Sequence, residues 1–402
     1  MGDFYQTGVI STLHRFPGTK LEKMEAELKK FQRQKPVTLL LPSLWSEFEG
    51  PAMPRIVEQL KQVKYLRQIV LVLDQADEAQ FKKARSFFAD FPTPVRVIWN
   101  DGPRITELYQ TLDQNNIPAG PRGKGRSVWM GMGYVLSDEK SYAIALHDCD
   151  ILTYSRELLA RLCYPVANTS MSYEFAKGYY ARVSDRFNGR VTRLFVTPLV
   201  RTLEKMAGYV PFLVFLDSFR YPLAGEFAMT TDLARIVRIP SDWGLEVGML
   251  SEVFRNCAPR RICEVDICET YDHKHQSLSQ DNPEAGLHRM SIDIAKHLFR
   301  TLASEGATIS DGFFKSVKAA YLREAQDAIR KYNDDASING LAFDRHSEGT
   351  AVETFARSID ISARAVLEDP LGTPLIANWN RVTSAIPDFL DKLRNAVEED
   401  NK

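Results

Sequence analysis

Several short stretches carry residues whose types and spacing could do chemistry. His147-Asp148-Cys149-Asp150 follows an apolar run and holds the chain's Asp-x-Asp. Two carboxylates at that spacing, at the end of a strand, suit a hard divalent cation that also holds a diphosphate, Mg²⁺ or Mn²⁺ rather than a softer metal. Gly120-Pro121-Arg122-Gly123-Lys124-Gly125 offers backbone amides and the Lys124 ammonium to a phosphate. It lacks the spacing of a P-loop or a dinucleotide fingerprint, and taken alone it reads as a flexible turn. Asn188-Gly189-Arg190-Val191-Thr192 combines a turn, an arginine fork and a hydroxyl, a set for an acidic small molecule. Tyr271-Asp272-His273-Lys274-His275 supplies two imidazoles, good metal ligands when neutral. Leu223-Ala224-Gly225-Glu226 and Trp243-Gly244-Leu245-Glu246 each place a carboxylate after a glycine turn, where it could accept from sugar hydroxyls.

The elements that must position these groups are legible in the apolar pattern. Strands are expected at Val37–Pro42, Gln68–Asp74, Val95–Trp99, Tyr142–Leu146 and Ile262–Ile267, with further strand signal in Met171–Val183. Helices are expected at Lys20–Gln34, Pro54–Val63, Glu78–Phe88, Arg104–Leu112, Arg126–Val135 and Thr197–Met206. Alternating strands and helices imply an α/β fold with a parallel sheet covered on both faces, and ligands gather at the carboxyl ends of such strands. After about Pro283 the strand signal fades. Helical spacing in Ser291–Ser304, Gly312–Tyr332, Glu353–Leu367 and Ala377–Ala396 marks a helical C-terminal domain. The expected division is an N-terminal arm over 1–35, a sheet domain over 36–284 and helices over 285–402.

Composition narrows the classes. The chain has 402 residues, 44% of them hydrophobic, with a formal charge of −1. That is enough apolar content for a packed core, and the charge gives no support for nucleic-acid or anionic-membrane binding. No run reaches the ~20 apolar residues of a membrane span, and Met1–Arg15 shows no secretory signal. The five cysteines, Cys149, Cys163, Cys257, Cys263 and Cys268, fit neither a disulfide framework nor a zinc site and suit a reducing cytoplasm.

Taken in order, these pieces resemble the glucosyl-3-phosphoglycerate synthases and their mannosyl-transferring relatives, in retaining glycosyltransferase family 81. The matching stretches are Leu41-Pro42-Ser43-Leu44, Gly123-Lys124-Gly125, Asp148-Cys149-Asp150, Gly189-Arg190-Val191-Thr192, Pro222 to Glu226, Trp243 to Gly248 and His273-Lys274-His275-Gln276. The resemblance implies a GT-A nucleotide-sugar-binding, Rossmann-like domain. It implies transfer of glucose from an NDP-glucose such as UDP-glucose to 3-phospho-D-glycerate, with retention of the anomer, on the way to the compatible solute glucosylglycerate. It also implies Mg²⁺ or Mn²⁺ as cofactor and a homodimer. By the same resemblance Pro42, Ser43 and Leu44 line the nucleoside pocket and Asp74 approaches the base. Lys124 meets the diphosphate, and Asp148, with Cys149, lies on the ribose side. Asp150 and His273 hold the metal, with His275 as the other candidate. Gly189, Arg190, Val191 and Thr192 bind the acceptor, and Glu226 and Glu246 join Asp150 in the catalytic set, facing the sugar.

The sequence departs from the family pattern at Trp45-Ser46-Glu47, where Asn-Glu-Glu is usual, at Asp74-Gln75-Ala76-Asp77, where Asp-Ser-Gly-Ser is usual, and at Tyr271, where a basic residue is usual. No residue stands out as a nucleophile. A front-face route, with the departing phosphate taking the acceptor's proton, and a covalent route both stay open. GDP-mannose as donor, a sugar nucleotidyltransferase and a non-catalytic binding protein are the alternatives. The nucleotidyltransferase would carry a glycine-rich signature directly after the first strand, where this chain has Pro42 to Glu49.

Overall fold

The computed structural model describes residue 6, residues 8–274 and residues 276–402. Its centre is an eight-stranded sheet of β1 (Ser11–Leu13), β2 (Val37–Leu44), β3 (Leu66–Asp74), β4 (Val95–Trp99), β5 (Ala143–Leu146), β6 (Phe175–Tyr180), β7 (Phe227–Thr230) and β8 (Ile262–Cys268), in the order β1-β8-β6-β7-β5-β2-β3-β4. The α/β expectation holds, but the sheet is mixed. β7 runs antiparallel to both β5 and β6 and joins two parallel halves. The N-terminal arm also contributes a strand, since β1 pairs in parallel with β8.

The pleat divides the core in two. Leu39, Leu41, Ile69, Leu71 and Leu73 point into one layer, covered by helices Leu21–Phe31, Ala52–Leu60, Glu78–Phe87 and Arg156–Ala167. Their neighbours Leu40, Val70 and Val72 point into the other, covered by helices Pro103–Gln114 and Lys124–Leu136 and by the C-terminal helices. Both faces are buried, so these strands read as unbroken apolar runs rather than alternations.

The C-terminal helices are part of that second layer. Trp129, in helix Lys124–Leu136, stacks on Trp379 at 4.1 Å and donates its indole N–H to Ala377 O at 2.8 Å. The expected Ala377–Ala396 helix is two, Trp379–Ala385 and Phe389–Asp400, because Pro387 has no N–H to continue the ladder. The second of them brings Asn401 to the sheet edge. There the Asn401 side chain accepts from the backbone N–H of Val97 in β4 at 3.0 Å and donates to its carbonyl at 2.8 Å, so the chain's own terminus shields that edge strand. Among the described residues no helix is long and apolar enough to cross a membrane.

β2 lies at the topological switch. The chain moves outward from β2 to β3 and β4, then crosses back to place β5 on the other side. A crevice opens at such a point, outside the carboxyl ends of β2 and β5.

Candidate functional site

A cavity of about 1130 Å³ fills that crevice. Its lining brings together nearly every residue singled out above. Pro42, Ser43 and Leu44 end β2 and Asp74 ends β3 on one side. Asp148, Cys149 and Asp150 follow β5 at the floor, and Lys124 leads helix Lys124–Leu136 toward them. Gly189, Arg190, Val191 and Thr192, with Glu246, close the other side, and His273 joins the floor beside Asp150.

Lys124 is the electrostatic centre. Its ammonium lies 2.7 Å from Asp148 Oδ1 and 3.2 Å from Glu246 Oε1. Burial alone would lower the Lys124 pKa, but the two carboxylates more than reverse this and hold it above its ordinary value. Burial likewise works to raise Asp148, and Lys124 outweighs it, so that carboxyl titrates below its usual range. The glycine loop before Lys124 packs closely on the segment around Pro240 and Ser241. Gly123, at its end, lies against the backbone carbonyl of Ser241, and Gly125, in the first turn of the helix, against that of Pro240, both too close for any side chain. Glu246 comes from the first turn of helix Leu245–Asn256.

Asp150 is arranged differently. Its Oδ1 is buried and has no hydrogen-bond partner among the described residues, while Oδ2 lies 3.5 Å from Nδ1 of His273. The two loops that carry them are zipped together by a bridge between Ile151 and His273 and a 2.8 Å bond from Leu152 N to Asp272 O. An acidic oxygen buried beside an imidazole, with nothing to accept from, is the donor set a divalent cation takes. Among the described residues no group of three or more His, Cys, Asp or Glu side chains could hold a metal. His275 lies outside the described residues. Glu47, missed in the sequence, lines the same corner. Burial and the nearby Asp150 charge raise its pKa, and Lys274 Nζ stands 3.8 Å away.

One of the expected residues falls elsewhere. Glu226 does not line the cavity. It is fully buried beneath it, accepting from Tyr180 Oη at 2.8 Å and Tyr271 Oη at 2.5 Å, with the two rings stacked at 3.8 Å. The tyrosine that replaces the family's usual basic residue at 271 is thus a partner of Glu226. Burial, then Asp148, raise the Glu226 pKa. Cys149 lines the cavity but is 2% exposed and packs into the core, where burial pushes its thiol well up.

Asp74 is already committed in part. It accepts from Asn100 Nδ2 at 2.8 Å, meets the Ser127 hydroxyl and has Arg122 Nε at 3.5 Å. On the acceptor side, Arg190 donates from Nε to Glu348 at 2.7 Å and from Nη2 to Ser347 Oγ at 2.8 Å. It opens a π-helical turn, Val191–Val196, a geometry that recurs at functional sites. Glu348, in helix Arg345–Glu368, could not be found from sequence, because nothing local links positions 158 residues apart. The Thr192 hydroxyl is buried without a partner.

No protein-family model matches the chain. It is 52% identical over 401 residues to the glucosyl-3-phosphoglycerate synthase of Persephonella marina, spanning 100% of this chain and 99% of that one. It is 40% identical over 405 residues to the enzyme of the same name from Methanococcoides burtonii, spanning 100% and 98%. The fold matches, with a TM-score of 0.53 and 19% identity over 75% of this chain and 89% of the other, a crystal structure of glucosyl-3-phosphoglycerate synthase from Mycobacterium tuberculosis in complex with Mn²⁺, UDP-glucose and phosphoglyceric acid.

Proposed function

Because the chain belongs to the family of glucosyl-3-phosphoglycerate synthases, we infer that it transfers the glucosyl group of an NDP-glucose to 3-phospho-D-glycerate, giving glucosyl-3-phosphoglycerate and NDP. The observation that carries this for the chain's own residues is one cavity at the sheet's switch point holding both halves of such a site, the Lys124–Asp148–Asp150–His273 floor and the Gly189–Thr192 turn.

Each half has a chemical task. The leaving group is a diphosphate whose negative charge grows as the glycosidic bond breaks, and Lys124 faces it with a fixed ammonium. Asp150 and His273 would hold Mg²⁺ or Mn²⁺, the latter being the ion in the Mycobacterium tuberculosis complex. When bound, that ion adds positive charge for the same diphosphate. Pro42, Ser43 and Leu44 shape the nucleoside end, and Asp74 orients toward the base through the bonds that fix its carboxylate. Glu246 is the carboxylate placed to steady an oxocarbenium-like centre, whereas Glu226 acts beneath, ordering Tyr180 and Tyr271. UDP as the donor base, a homodimer and a cytoplasmic setting belong to the same proposal. So does a division into an N-terminal arm over 1–35, a catalytic unit over 36–284 and a helical one over 285–402.

The direct experiment is a donor panel of UDP-, GDP- and ADP-glucose and GDP-mannose against 3-phosphoglycerate, scored for sugar phosphoglycerate and free NDP. Glucosyl transfer is expected, with UDP-glucose best. Mannosyl product in excess of glucosyl product, or pyrophosphate release, would replace the proposal.

The acceptor turn gives its own expected outcome. Arg190 can hold Glu348, Ser347 and an oxyanion only because its fork has several donors in one plane, and Lys has no such fork. Arg190→Lys should raise the KM for 3-phosphoglycerate at least ~10-fold, about 1.4 kcal/mol, while the KM for the NDP-sugar barely moves. A variant with unchanged acceptor KM and an unchanged preference for phosphoglycerate over glycerate would place the acceptor elsewhere.

A further inference from the structure

Four arginines, Arg182, Arg186, Arg190 and Arg193, fall within twelve residues around the acceptor turn, and their states differ. Arg190 and Arg193 share Glu348, at 2.7 Å and 2.9 Å. Arg186 is paired with Asp185 at 2.6 Å. The other lysines and arginines on the cavity wall are also matched, Arg122 by Asp74 and Asp101, Lys124 by Asp148 and Glu246, Lys274 by Glu47 and Arg289 by Asp293. Arg182 is the exception. Among the described residues it has no carboxylate partner. Its Nη1 donates to the Tyr221 phenol at 3.3 Å, and its Nε is buried with no partner at all. The charged and titratable groups acting on it are the phenols of Tyr221, Tyr180 and Tyr271. A buried guanidinium N–H without an acceptor is costly, and such a group in a native structure calls for an explanation.

Its position supplies one. Arg182 lines the same cavity as Gly189–Thr192. Gly189 has φ of +71°, and a methyl group there would stand 3.0 Å from the Tyr221 hydroxyl and 3.7 Å from Arg182 Cδ. The glycine therefore lets the turn close onto the Tyr221–Arg182 pair. 3-Phosphoglycerate brings two anionic groups, and Arg190 and Arg193 share the single carboxylate of Glu348, so that pair keeps only one net positive charge. One uncommitted cation beside the turn is what the second group requires.

Resting on the acceptor reading above, we infer that Arg182 receives one of the acceptor's two oxyanion groups, beside the Gly189–Thr192 turn. Arg182→Gln should raise the KM for 3-phosphoglycerate at least ~10-fold, with kcat and the KM for UDP-glucose within about twofold and an unchanged thermal midpoint. Arg182→Lys, which keeps the charge and the fold, should recover part of that loss. Two acceptor fragments identify the group held. If it is the phosphate, Arg182→Gln weakens inhibition by glycerol 3-phosphate and leaves turnover of glycerate alone. If it is the carboxylate, the pattern reverses. An unchanged acceptor KM in both variants overturns the inference, as does a loss that falls equally on both substrates and on the thermal midpoint. Arg190→Lys measured alongside separates the two claims. An effect at Arg190 with none at Arg182 removes only this inference, and no effect at either removes the acceptor site itself.

Discussion

Asp150→Ala is expected to lower turnover at least ~100-fold, the scale seen when a group that stabilises developing charge is removed. The expectation rests on how little else Asp150 does. Among the described residues, one carboxylate oxygen is buried without a hydrogen-bond partner and the other lies 3.5 Å from His273. A side chain with so few structural contacts should be removable with little loss of stability, so the thermal midpoint should stay within about 1 °C, under ~1 kcal/mol for a chain this size. A saturating chelator should reproduce the loss in the unmodified protein and add little to Asp150→Ala. Calorimetry should show Mn²⁺ binding, in the presence of UDP, that the variant lacks. Near-normal turnover in excess EDTA would remove the metal from the account.

Lys124→Ala should be damaging twice over. In the ligand-free protein its ammonium neutralises Asp148 and Glu246, and its truncation strands both carboxylates. Breaking a buried pair costs about 3–5 kcal/mol. The Lys124 and Asp148 side chains are 31% and 29% exposed, so solvent screening favours the lower end or less, about 2–3 kcal/mol. The pH dependence carries a sign. Lys124 holds Asp148 below its ordinary pKa, so the stability this pair contributes is complete above about 3.9 and is lost as pH falls through the folded-state value. The gap in thermal midpoint between the original protein and Lys124→Ala should therefore be widest at neutral pH and narrow below pH ~4. Affinity for free NDP should fall at least ~10-fold, because the diphosphate loses its fixed cation. Unchanged NDP affinity by calorimetry would move Lys124 out of the donor site.

What could be read in advance depended on whether the signal was local. β2, β3, β4 and β5 were legible because a strand buried on both faces is a short apolar run between polar turns, and Leu39-Leu40-Leu41 or Ile69 to Leu73 is that and little else. The carboxyl ends of β2, β3 and β5 then fixed where Leu44, Asp74 and Asp148 must meet. Helix Arg156–Ala167 was not legible. It is buried round most of its circumference and carries Pro165, so it shows no polar face to set a period. β7 was missed for its length, four residues, and with it the antiparallel pairing that makes the sheet mixed. Glu226 was misplaced for a different reason. A carboxylate after a glycine turn looks the same in sequence whether it faces a sugar or two phenols, and only the Tyr180–Tyr271 stack decides. Glu348 and Arg182 lay beyond reach because their significance is relational. One matters for neutralising arginines in a distant turn, the other for having nothing to neutralise it.

The most direct test of glucosyl transfer is to incubate the protein with UDP-glucose, 3-phosphoglycerate and Mg²⁺ or Mn²⁺ and follow the anomeric proton of the sugar by NMR. The expected result is a new α-linked glucosyl signal on phosphoglycerate, matched one-for-one by UDP. It should be absent without acceptor and strongly reduced in Asp150→Ala. Free glucose with UDP, pyrophosphate, or a β-linked product would contradict the assignment of a retaining transfer to phosphoglycerate.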